Sequence, residues 1–125
     1  MSAAAFSRSA LLRATLVGTV LQLAMVLSGH YNASIANLFA VLGMTISLVA
    51  GLLFALWAKL PTVGASAVGG LVAGGICALV GIVVSYALGD VPAMIIAFGT
   101  VSSAVTGAVG GAVGRALAGR GVARA

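Results

Sequence analysis

The chain has 125 residues, of which 62% are hydrophobic and 6% charged, with a formal net charge of +5 and a mean hydropathy of +1.29. Soluble domains carry about 25% charged residues, so a water-soluble fold is excluded, and one domain of this length leaves no room for a soluble catalytic module beside its apolar stretches. The basic excess sits at the ends of those stretches, where it serves orientation and headgroup contact rather than nucleic acid.

Four apolar stretches run from Leu11 to Leu27, Ile35 to Trp57, Val68 to Leu88 and Val91 to Ala112. A hydrocarbon core about 30 Å thick takes roughly 20 residues of helix. The pattern predicts an all-α polytopic membrane protein, one transmembrane domain over residues 1–125, with a short basic tail at 113–125. Hinges of a few residues force neighbouring helices antiparallel, giving an up-down-up-down bundle.

The first span follows Arg8 and contains Arg13, which can snorkel back to the headgroups. Val26-Leu27-Ser28 is a poor small-x-small cleavage site, so the span is read as retained rather than as a cleaved leader. Only Ala14 and Gly18 repeat at small-residue spacing in it, and the rest is rich in Leu, which predicts the most lipid-exposed helix of the four. In the loop that follows, Asn32 and Ser34 are candidate caps for the second helix. That helix carries small residues at every fourth position, Gly43, Ser47, Gly51 and Ala55. Trp57 and Lys59 mark its interfacial end, and Pro61 stops it.

The third span repeats the spacing with Ser66, Gly70, Gly74 and Ala78, and the fourth with Gly99, Ser103, Gly107 and Gly111. Lipid tails are as apolar as Leu, so helix association in a bilayer gains from close backbone approach, which small-xxx-small stripes permit. A second stripe on the fourth helix, Ser102, Thr106, Gly110 and Gly114, looks spare and points to self-association. Between these spans Asp90 reads as the cap of the fourth helix, with Pro92 in its first turn. At a spacing of 60 residues Leu11 meets Leu71, Gly29 meets Gly89, Ala33 meets Ala93 and Ile35 meets Ile95, a hint of two parallel hairpins with pseudo-twofold symmetry.

All six basic residues, Arg8, Arg13, Lys59, Arg115, Arg120 and Arg124, fall on one side of such a bundle. The positive-inside rule then puts both termini and the Lys59 hinge in the cytoplasm, and the expected location is the cell (inner) membrane of a bacterium.

Reactive side chains are few: one His, one acidic residue and one Cys. No three-ligand metal site can form within one chain, no cofactor motif is present, and no catalytic residue is assigned. Cys77 lies mid-span and reads as a packing residue. The spans carry no buried charge of the kind proton-coupled carriers use. Polar residues gather at the outer end, where Gln22, His30, Asn32 and Asn37 of the first hairpin meet Tyr86 and Asp90 of the second. A pair formed by His30 and Asp90 would make a pH-responsive gate. The plainer alternative is a solvated His30, a capping Asp90 and tyrosines of the interfacial belt.

Ala36-Asn37-Leu38-Phe39-Ala40, followed by Phe54 and Trp57, resembles the second span of GtrA-type four-helix proteins, a family linked to translocation of polyprenyl-linked sugars. That family's basic residue beside the aromatic pair is missing here and the second half has no counterpart, so no function is taken from it. The first expectation is a non-enzymatic membrane protein acting through helix packing, as a homo-oligomer or as an accessory to another membrane protein. The second is a channel or transporter for an unspecified small molecule, with the outer polar cluster as its vestibule. A lipid-modifying enzyme built on His30 and Asp90 ranks last.

Overall fold

The computed structural model describes residues 3–124, and side chains over 8–118. Among the described residues all regular structure is helical: α1 (Ala3–Tyr31), α2 (Ala33–Ala36), α3 (Phe39–Ala58), α4 (Val63–Ala87) and α5 (Met94–Arg124). All but α2 are long and apolar enough to cross a membrane, and the chain is a membrane protein on that ground. The side chains of Arg120 and Arg124, which contribute to the predicted orientation, lie outside the described residues.

Several predicted borders move, each for a local reason. The second long helix starts at Phe39, not Ile35. Asn32 accepts from the Ser34 N–H at 2.9 Å and caps only the four-residue α2. The chain then turns at Asn37 and Leu38, and the Phe39 ring lies where a Gly29 side chain would be. The third starts at Val63 rather than Val68, because Thr62 caps it by accepting from Ala65 N–H at 3.1 Å.

The fourth starts at Met94 rather than Val91, and Asp90 does not cap it. Gly89, with φ +80°, ends α4 in a Schellman turn: the Gly89 N–H donates to Tyr86 at 2.9 Å and the Asp90 N–H to Ser85 at 3.0 Å. Residues 113–124 continue α5 instead of forming a separate tail. At the other hinge Lys59 ends α3 in the left-handed region, φ 52°. Arg115 clamps that turn, its Nε donating to the Leu60 carbonyl at 2.7 Å and its terminal nitrogen to Pro61 at 3.1 Å.

α3 and α4 touch each other, and both touch α1 on one side and α5 on the other, whereas α1 and α5 hardly meet. A twofold arrangement of the two hairpins would pair α1 with α5 as α3 pairs with α4, so the symmetry is not realised. Over the described side chains α1 carries the largest share of exposed residues of the four long helices, in line with its Leu-rich composition. The small residues of α1 are seated well, with Ala14 fully buried beside Ala50, Ala73 and Cys77, and a Cβ on Gly18 would come 2.9 Å from Cys77 Sγ.

Glycine sets the distance among α3, α4 and α5. A Cβ on Gly51 or Gly70 would overlap the Gly107 carbonyl, and one on Gly107 would overlap the Gly70 carbonyl. A Cβ on Gly74 would lie 2.9 Å from Gly107 Cα, and one on Gly111 would overlap Ser66 O. These are backbone-to-backbone contacts, available only where neither helix carries a side chain. Half of the stripe expected to be spare is also consumed: Gly110 faces the Leu48 carbonyl and Gly114 faces Leu52 and Ala55 of α3, while Ser102 stays exposed. The ridge of α5 that remains exposed is Val101, Val105, Val109 and Val113.

Candidate functional site

Glycine contact closes the bundle at the Lys59 end, but not at the His30 end. There α3 and α5 part, and a cavity of about 560 Å³ opens between them, backed by α1 and α4. Its sides are Phe39, Ala40, Gly43 and Met44 of α3 and Ile95, Phe98, Gly99 and Ser102 of α5. The reason is the partner each small residue meets. A Cβ on Gly43 would lie 3.6 Å from Gln22 Oε1 and 3.8 Å from the Met25 methyl of α1, and one on Gly99 would meet the Ile82 side chain of α4, so neither glycine brings α3 and α5 into contact.

At the deep end of the cavity lies Gln22, only 2% exposed. Its Nε2 donates to the Gly43 carbonyl at 3.0 Å and to Ser47 Oγ at 3.4 Å, while Ser47 Oγ donates to the Gly74 carbonyl at 3.1 Å. The amide orientation follows from these partners, since a backbone carbonyl only accepts. Gln22 thereby ties α1 to α3 and, through Ser47, to α4. Among the described residues no donor reaches its Oε1, which lies beside Gly43 and Gly81. Ser85, also lining the cavity and 2% exposed, has a hydroxyl with no partner. The buried, unpaired Ser85 hydroxyl carries a desolvation penalty of about 1–3 kcal/mol.

Asp90 and Asn37 stand at the rim. Asp90 Oδ2 lies 2.8 Å from His30 Nδ1, their side chains 23% and 32% exposed. The tautomer with hydrogen on Nδ1 donates to the carboxylate, and the Tyr31 ring packs edge-on to the imidazole at a centroid distance of 5.0 Å. The Schellman turn makes this reach possible, because Gly89 swings Asp90 back toward the end of α1.

Of the polar residues expected together, Gln22, Asn37 and Asp90 share the cavity and His30 joins them through Asp90. Asn32 is occupied as a cap, and Tyr86 is 47% exposed and does not line the cavity. Gln22 belongs to the floor rather than the outer rim. Of the packing set, Gly51, Gly70, Gly74, Gly107 and Gly111 form the glycine seam, Gly43 and Gly99 line the cavity, and Ser103 does both, its carbonyl lying 3.0 Å from where a Cβ on Gly74 would be. The apolar walls Phe39, Met44, Ile82 and Phe98 gave no sequence signal distinguishing them from lipid-facing residues.

No family model, no curated protein and no solved structure matches this chain.

Proposed function

We propose that the chain is an up-down-up-down membrane bundle, with both termini cytoplasmic, that takes up a small molecule in an outward-facing cavity and acts as a transporter rather than an enzyme. The register of contacts supports the antiparallel order: Gly29 meets Phe39, Gln22 meets Gly43 and Ser47, and Gly18 meets Ala50. The basic residues support the orientation, since Lys59 and Arg115 share one end and the Asp90 end carries no Lys or Arg.

The observation that carries the functional reading is the cavity of about 560 Å³ joining rim residue Asp90 to the buried Gln22. It has hydrogen-bonding groups without protein partners and ends where the glycine seam begins. A cavity open at one end and sealed at the other by backbone contact is one half of an alternating-access path. An assembly role would have to use another surface, the valine ridge of α5 being the exposed candidate, because Gly110 and Gly114 are spent on α3.

The test is flux in proteoliposomes. Small-molecule uptake should require the protein and should stop in Ala40→Trp, which fills the cavity from an exposed position on α3. Uptake that persists in Ala40→Trp would refute the route, and a well-folded protein that moves no member of a broad set of cationic, neutral and anionic solutes would refute transport.

A further inference from the structure

We infer that the molecule taken by this cavity is a lipophilic ammonium, an organic cation with N–H donors on an apolar body. The inference rests on the cavity reading above and adds the chemical class of the ligand. Asp90 is the chain's only acidic residue, and it stands at the cavity rim with no Lys or Arg among the lining residues. A cation entering the cavity therefore meets the one formal countercharge the chain possesses. An anion would meet that carboxylate and no Lys or Arg, His30 being already engaged by Asp90.

The geometry leaves room on Asp90. His30 engages Oδ2, which leaves Oδ1 to accept a charge-assisted bond from an ammonium. Ser85 lies close behind, its carbonyl accepting the Asp90 N–H and its hydroxyl buried without a partner. Further in, Gln22 Oε1 is an acceptor that no donor among the described residues reaches. The polar groups along the cavity are thus one carboxylate, the amides of Asn37 and Gln22, and hydroxyls, with no Lys or Arg among them, so the charge complement of the lining is a cation.

Between them the walls are apolar, with Phe39 and Met44 facing Ile95 and Phe98 across the gap. A hydrated inorganic cation would leave those walls wet, whereas an aryl or alkyl body buries them. Aromatic rings also attract an ammonium through their faces. The opening between α3 and α5, where Met44 and Phe98 are exposed, gives an amphiphile a path from the bilayer as well as from the rim.

One skeleton carrying three charges tests this. Full-length protein in nanodiscs would be saturated with radiolabelled 4-phenylbutylammonium, with empty nanodiscs as the control for partitioning, and competed with 4-phenylbutanol and 4-phenylbutyrate. Saturable binding is expected, with both competitors about tenfold weaker or worse and a similar loss in Asp90→Asn, the scale of one good charge-assisted contact. Asp90→Glu keeps the charge and should retain most of the binding, which separates the carboxylate's role from damage to the turn. If the alcohol competes as well as the ammonium and Asp90→Asn binds normally, the cationic assignment is overturned while the cavity reading survives. If the butyrate competes best, the assignment is overturned in the same way. No saturable binding of any of the three, in wild type and Ala40→Trp alike, would overturn both.

Discussion

The two ends of α3 and α5 use the same small residues to opposite effect. Toward Lys59, Gly51 meets Gly107 and Gly110 meets Leu48 backbone to backbone, and no space is left. Toward His30, Gly43 and Gly99 meet Gln22 and Ile82 side chains, and the helices stand apart around a cavity. A small residue closes a helix pair only when its partner presents bare backbone. Opposite a long side chain it makes room instead, so one periodic stripe builds both the seam and the site.

The sharpest way to break that contrast is to place equal insults on the two ends. Gly107→Ala puts a methyl into the Gly70 carbonyl and against Gly74 Cα and should destabilise the bundle by about 3 kcal/mol, at the upper end of overpacking effects. Gly43→Ala adds a methyl at ordinary contact distance and should change stability by less than about 1 kcal/mol, helped by the better helix propensity of Ala. Reversible unfolding in mixed micelles compares the two, and equal losses would erase the distinction between seam and cavity.

Between these extremes comes Arg115→Met, which removes two bonds to the Leu60 and Pro61 carbonyls. A loss of about 1.5–3 kcal/mol is expected, as for hydrogen bonds made by charged groups. Hydrogen exchange should speed up in the 59–62 hinge and not at the 88–92 hinge; uniform acceleration would mean that Arg115 supports the whole bundle.

The smallest expected effect is that of Asn32→Ala, about 0.5–1 kcal/mol from the lost cap, since Asn32 serves a four-residue helix. A loss of ligand binding in this variant would show that α2 shapes the cavity directly.

Much of the fold was legible in the sequence because it rests on composition. Four runs of apolar residues near membrane length became four long helices, and the stripes Gly51, Gly70, Gly74 and Gly107 became the seam. Helix borders were less legible because they depend on single bonds: Thr62 capping α4, Phe39 settling on Gly29, and Gly89 turning Asp90 away from α5. The fate of the second α5 stripe was not legible at all, since a stripe does not state which neighbour covers it. The same holds for the site. Gln22, His30 and Asp90 stood out as rare polar residues in an apolar chain, but that Gln22 lies at depth, or that Ser103 lines a cavity as well as meeting Gly74 in the seam, follows only from which helices diverge and where.

The central claim is a cavity open at the His30 end and sealed at the Lys59 end. Thiol accessibility tests it most directly. Ser103→Cys, at a position 4% exposed that lines the cavity, would be made in a Cys77→Ala background and exposed to a membrane-impermeant thiol reagent from each side of oriented vesicles. Labelling is expected from the side opposite a C-terminal tag, with protection in Ala40→Trp and none of it from the tag side. Labelling from the tag side, or equally from both, would contradict the one-sided cavity.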